Sequence, residues 1–347
     1  MQGVGEDSKR GARGGPVGDC RVDVVKVFSA GPGGGNPAPI VLDASQLDAA
    51  QMQKIAAAYG HESAFVLPAQ DRNNDFRFRF FVPNHEMEMC GHATVGALWL
   101  LRRNGLWTTP RARIETVSGL VNAVASVVVS PAASKVTSAA SSSLIDPPVN
   151  PFIGGQDTDA ERIEVSQPEG VVYPLTDTAI IDTLMKVLNL RPGDMMPLAV
   201  LNAKTSRIKT LIALRSPDVL HALRPDFASV EAVCAALDST GLYPFAIEDP
   251  KRHVFHARQF PRSSGYQEDA ATGIAATALV YGLRYYGLSP VAGESITVKQ
   301  GLAMGRPSEI NVRFANSAEG LHAGCWLSGA VELSGDADPD AEHHIDR

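Results

Sequence analysis

The chain has 347 residues, a formal net charge of −7, 44% hydrophobic residues and 20% charged residues. Its length suits about two domains, no apolar run approaches the roughly 20 residues that span a bilayer, and no basic block marks a nucleic-acid or anionic-membrane partner. Four cysteines (Cys20, Cys90, Cys234, Cys325) lie far apart with no CxxC, which argues against a disulfide framework or a metal site.

The opening MQGVGEDSKRGARGG has no apolar h-region, so the expectation is a cytoplasmic protein with reduced thiols and a polar tail over residues 1–20. RVDVVKVFSA and PIVLD read as strands around the tight loop GPGGGNPAP. SQLDAAQMQKIAAAYG reads as a helix with Ser45 or Asp48 as its cap. SAFVLPA and FRFRFFVP read as strands; Phe76, Phe78 and Phe80 alternate with Arg77 and Arg79, so one face is buried. GHATVGALWLLRRNG is a helix stopped by Gly105. A strand pair, ARIETVSG and LVNAVASVVV, leads into a Ser- and Pro-rich stretch over residues 130–160, a linker or insertion. RIEVSQ, PLAVLNA and IKTLIAL then read as strands, and SPDVLHALRPDFASVEAVCAAL as a helix in two pieces around Pro225. YPFAIED and HVFHARQF are strands, ATGIAATALVYGLRYYGL a helix, SITVKQG and INVRFA a hairpin, and CWLSGAVELSG the last strand before a tail over 334–347.

The chain repeats itself at an offset of 182 residues, where Gly91/Gly273, Ala93/Ala275, Leu101/Leu283, Arg102/Arg284, Gly105/Gly287 and Leu106/Leu288 are identical pairs. An Arg and Phe strand precedes each helix: Arg79-Phe80-Phe81-Val82-Pro83 and Arg258-Gln259-Phe260-Pro261. Two similar domains facing each other make a cleft. Helix starts at Gly91 and Gly273 would offer free N–H groups and a partial positive charge to a carboxylate. The plainer reading is that both glycines serve tight turns.

Polar groups flank these features. His92 follows Gly91 at a helix N-terminus, where the cation is disfavoured and a neutral imidazole can exchange a proton. Glu268 and Asp269 precede the second helix as caps or acids. Glu62 ends the first helix region, and by pattern alone is a solvated acid. Cys90 could be an activated thiol, but a two-thiol racemase needs a second cysteine where Ala270-Ala271-Thr272 stands. His343-His344 is too short and terminal to argue for a metal.

These stretches together resemble the PhzF-like (phenazine-biosynthesis-like) family within the diaminopimelate-epimerase fold. The residues that carry the resemblance are Val27-Phe28-Ser29, Gly35-Asn36-Pro37, Glu62-Ser63-Ala64-Phe65-Val66, Phe81-Val82-Pro83 with Glu86, Cys90-Gly91-His92-Ala93-Thr94, Arg258-Gln259-Phe260-Pro261, Glu268-Asp269-Ala270-Ala271-Thr272-Gly273, and Gln300-Gly301 with Met304-Gly305-Arg306-Pro307-Ser308. The resemblance implies an α/β (α+β) chain of two pseudo-symmetric domains, each a curled mixed β-sheet around a central helix. It also implies no cofactor, no metal and a possible homodimer. Glu62 would be the base, with His92 and Asp269 orienting the substrate and relaying the proton. The substrate, a small carboxylate-bearing molecule, would meet His61, Ser63, Gly91, Thr272, Gly273 and Ile274. His61 and Ile274 stand where the family often has serine.

The expected domains are 21–129 with 326–333, and 161–322. The leading function is a cofactor-independent isomerase that shifts a double bond by proton transfer. The alternatives are an amino-acid racemase or epimerase, and a non-catalytic ligand-binding member of the fold.

Overall fold

A computed structural model describes residues 20–127, 161–316, 319 and 324–334. The leading tail to residue 19, the whole Ser- and Pro-rich stretch, and the closing tail with His343-His344 lie outside the described residues.

In chain order the first half carries β1 (Asp23–Val27), β2 (Asn36–Val41), α1 (Ala49–Tyr59), β3 (Ser63–Pro68), β4 (Phe76–Val82), β5 (His85–Met87), α2 (Gly91–Arg103), β6 (Arg111–Thr116) and β7 (Gly119–Val127). Then follow β8 (Glu161–Pro168), β9 (Val171–Pro174), α3 (Thr178–Val187), β10 (Leu201–Lys204), β11 (Ile208–Leu214), α4 (Pro217–Ala222), α5 (Phe227–Ala236) and β12 (Gly241–Asp249). The chain continues through β13 (Val254–Ala257), β14 (Phe260–Pro261), α6 (Gly273–Tyr285), β15 (Ser295–Gln300), β16 (Ser308–Phe314), β17 (Gly324–Ser328) and β18 (Val331–Leu333).

Local chemistry explains several boundaries. Asp48 caps α1 in a capping box with Gln51, and Gly60 closes it at φ 68°, a left-handed seat that glycine takes without strain. Sequence patterning missed α3, although Asp177 caps it and Leu184 and Val187 bury one side. It also missed the short strands β5 and β9.

The pairings arrange the strands in two runs with one pattern. One run is β18-β1-β2-β3-β4-β6-β7-β8. The other is β9-β10-β11-β12-β13-β15-β16-β17. In each run the successive neighbours are antiparallel, antiparallel, parallel, antiparallel, parallel, antiparallel and antiparallel. β8 and β17 join the runs edge to edge, Trp326 opposite Ser166. The first run wraps α2 and the second wraps α6, and one apolar core fills both. α1 covers the outer face of β2–β4 through Met52, Ile55 and Ala56. Helices α3, α4 and α5 cover the outer face of the second run.

The segment CWLSGAVELSG forms two strands rather than one. β17 pairs with β16 and β8, whereas β18 pairs with β1 in the other run. The crossing falls at Gly329, where a Cβ would lie 2.4 Å from the Phe28 ring. Phe28 N–H donates to Ala330 O at 2.7 Å beside it.

Candidate active site

The two central helices meet at their N-termini. A Cβ on Gly91 would stand 3.1 Å from Leu327 Cδ2, and one on Gly273 would stand 2.6 Å from the same atom. Leu327 is fully buried, and neither glycine has a positive φ. The glycines therefore make room for one leucine from β17 and do not serve a left-handed turn. Cys90 and Thr272 hold equivalent N-cap seats, and neither side chain caps its helix. That contrasts with α1, α3 and α4, whose first-turn N–H groups have side-chain acceptors. The first turns of α2 and α6 thus keep donors for an anion.

Asp269 stands at the centre. Asn36, from the start of β2, donates to Asp269 Oδ1 at 2.9 Å and to Ala271 O at 3.1 Å. Thr272 Oγ1 donates to the other Asp269 oxygen. Gln300 Nε2 holds the Asp269 carbonyl at 2.7 Å and Thr272 Oγ1 at 3.1 Å, and Tyr243 donates to Gln300 Oε1 at 2.9 Å. Burial and then the charge of Glu62 push the Asp269 carboxyl up to about 6, against the hydrogen bond from Thr272 and the charge of His92. Such an acid ionises near the operating range of a proton-transfer catalyst.

His92 lies in the first turn of α2, buried, with Nδ1 3.3 Å from Cys90 Sγ. Its Nε2 is buried without a hydrogen-bond partner. Burial disfavours the charged ring, but Cys90, Glu62 and Asp269 outweigh it and push His92 up to about 10. The helix N-terminus alone favours a neutral imidazole; the Cys90 sulfur first, and then the charges of Glu62 and Asp269, act against that preference.

Glu62 precedes β3 and is half-buried. Tyr266, from the opposite half, donates to Glu62 Oε1 at 2.9 Å, and Oε2 accepts no hydrogen bond from the described residues. The charges of Glu62 and Asp269 both act on His92, so the three groups share one electrostatic neighbourhood. Ser63 is turned to the backbone, donating to His61 O at 3.1 Å, and Ile274 is half-buried on the first turn of α6. Glu268 is not a cap: Arg258 grips it with a two-pronged pair at 2.8 and 2.7 Å. Arg79 grips Glu86 in the same way in the first half, at 2.7 Å for each prong. Each guanidinium also lies over a phenylalanine, Phe81 at 5.1 Å and Phe260 at 5.0 Å.

Sequence reasoning gave no role to Asn36, Gln300, Tyr266 or Tyr243; Asn36 and Gln300 lie in stretches that carry the resemblance, and each of the four meets its partner far along the chain. It also missed Lys209 on β11, a buried lysine pushed down to about 8 by burial, against the charge of Asp269. Among the described residues no group of three His, Cys, Asp or Glu side chains is placed to hold a metal ion. No described helix is long and apolar enough to cross a membrane.

Two runs of strands, each around a helix, with acidic groups where the helix starts meet, define an epimerase-like fold. The model of the phenazine biosynthesis-like protein family matches residues 25–337, and the chain belongs to that family. An isomerase of Salmonella typhimurium named YddE, itself uncharacterised, is 31% identical over 293 residues, covering 83% of this chain and 88% of the relative. The trans-2,3-dihydro-3-hydroxyanthranilate isomerase of Pseudomonas aeruginosa is 29% identical over 326 residues, covering 93% and 98%. By this kinship the chain is an isomerase. A Bacillus anthracis protein of the PhzF family superposes with TM-score 0.72 at 24% identity, covering 90% of this chain and 96% of that one. A hydroxyproline epimerase from Agrobacterium vitis shares the fold, with TM-score 0.54 at 12% identity over 90% of each chain.

Proposed function

We propose that this protein is a cofactor-independent isomerase that shifts a double bond by moving a proton within a small, carboxylate-bearing, conjugated metabolite. The observation that carries this reading is the convergence of Glu62 and Asp269, from opposite halves, on a buried His92 whose Nε2 has no protein partner. Glu62 Oε2 takes a proton from a C–H bond of the substrate. The electron pair of that bond enters the adjacent π system, and the double bond moves. Glu62 itself, or Asp269, returns a proton to the far carbon. His92 donates from Nε2 to the oxygen on which charge develops. The uncapped first turns of α2 and α6 hold the carboxylate.

The family and the named activity of the Pseudomonas aeruginosa relative support this reading. A racemase with Glu62 and Asp269 on opposite faces of one carbon is the second reading, favoured by the origin of the two acids in different halves. A two-thiol version is disfavoured, because Thr272 occupies the seat equivalent to Cys90.

Proton NMR in D₂O tests the proposal, with wild type and Glu62→Gln against cyclic dienyl carboxylates, including trans-2,3-dihydro-3-hydroxyanthranilate, unsaturated imino acids and amino acids. New vinyl signals with deuterium uptake in wild type, absent in Glu62→Gln, are the expected result. Uptake at Cα with loss of optical rotation selects the racemase. Binding without uptake selects a non-catalytic ligand-binding member. Full activity in Glu62→Gln removes Glu62 from the base role.

A further inference from the structure

Residues 262–267 form six consecutive exposed positions between β14 and Asp269. Within them Gly265 has φ 83°, a left-handed seat that turns the chain sharply just before Tyr266. The Tyr266 side chain then reaches a carboxylate 204 residues away, donating to Glu62 Oε1 at 2.9 Å. The residue remains 41% exposed, so burial of its ring does not account for its place. Burial of the hydroxyl end and the charges of Asp269 and Glu62 push the phenol well above its ordinary range, so it stays a donor at any working pH.

The far end of the loop is firmly anchored. Asp269 N–H donates to Gln259 O at 3.1 Å, and Glu268 is gripped by Arg258. The anchor that fixes Asp269 therefore also fixes Tyr266, three residues earlier. A carboxylate with one oxygen held has a defined plane, and its second oxygen has a defined direction. Here the held oxygen is Oε1, and Oε2 is the one left to receive a proton.

We propose that Tyr266 is a positioning residue for Glu62: its hydroxyl fixes Oε1 across the two halves, so that Oε2 alone faces the C–H bond. The inference rests on the reading of Glu62 as the base. It makes the base complete only when the two halves are together, because the base and the donor that orients it sit on different halves. A ring that merely packs would serve as well without its hydroxyl.

The test uses the full chain labelled with ¹³C-glutamate, with the Glu62 carboxyl signal assigned by its loss in Glu62→Gln. At one fixed pH the Glu62 carboxyl signal of Tyr266→Phe moves from its wild-type position, because Oε1 has lost its donor. In parallel, deuterium uptake is measured into the panel compound that wild type labels. Tyr266→Phe and Tyr266→Ala lose uptake to a similar degree, about 10- to 100-fold in kcat with KM within about threefold.

A Glu62 carboxyl signal that keeps its wild-type position in Tyr266→Phe overturns the proposal. So does wild-type kcat in Tyr266→Phe with loss only in Tyr266→Ala, which would make the ring a packing element. Failure of the base reading shows separately, as Glu62→Gln that keeps its uptake, or as no uptake by wild type. In either case a moved carboxyl signal reduces the bond to a tether between the halves, and the positioning role falls.

Discussion

Gly273→Ala asks what the glycine at the start of α6 is for. The added methyl would sit 2.6 Å from Leu327 Cδ2, 3.4 Å from Cδ1 and 3.6 Å from Cγ. Carbon atoms prefer about 3.5–4.0 Å, so a fully buried leucine between two helices has to move by about 1 Å. Overpacking of this kind costs about 1–3 kcal/mol. Replacing glycine inside a helix with alanine returns up to about 1 kcal/mol, and φ at this position adds no strain. The net expectation is a destabilisation of about 0–3 kcal/mol. Gly91→Ala meets the same leucine at 3.1 Å and costs about 0.5 kcal/mol or less. Leu327→Ala alone costs about 2–5 kcal/mol. Urea denaturation of the single and double variants gives the coupling. Once Leu327→Ala is present only the helix gain of up to about 1 kcal/mol remains, so the coupling is the overpacking term of about 1–3 kcal/mol. A penalty that persists in the Leu327→Ala background refutes the steric argument. Turnover adds a second reading: if the bare backbone also receives the substrate carboxylate, the double variant stays slow after its steric clash is gone.

Asp269→Asn is expected to abolish turnover and yet raise stability at pH 7. The folded-state value of about 6 lies above the ordinary 3.8, so the native form binds its proton more tightly and loses stability as pH rises from about 4 to 6. Denaturation curves across that range should slope less in the variant; an unchanged slope would mean that Asp269 does not carry the raised value. Arg258→Ala strands a buried Glu268 carboxylate and costs about 3–5 kcal/mol. Arg79→Ala, on a more exposed pair with side chains 21% and 33% accessible, costs about 1 kcal/mol or less. Equal thermal shifts in those two variants would contradict the burial argument.

The linear chain by itself determined its helices and strands wherever periodicity was strong, as in α1, α2, α6 and the alternating Phe76, Phe78 and Phe80 of β4. It also declared the 182-residue repeat, because two copies of one packing problem are solved with similar residues at similar spacing. Through a resemblance of motifs it pointed to Glu62, His92 and Asp269.

Only the tertiary structure decided what these groups touch. Asn36 reaches Asp269 across 233 positions, and Tyr266 reaches Glu62 across 204. A hydrogen bond between residues so far apart leaves no local pattern. The same holds for the purpose of the two glycines, which depends on a leucine in a strand from the end of the chain. It holds in part for His92, where the helix start argued for a neutral ring, while the neighbouring Cys90 together with Glu62 and Asp269 favours the charged one. Local sequence sets backbone preference and the faces that seek burial. The charge state and reach of a side chain depend on whatever the fold brings opposite it.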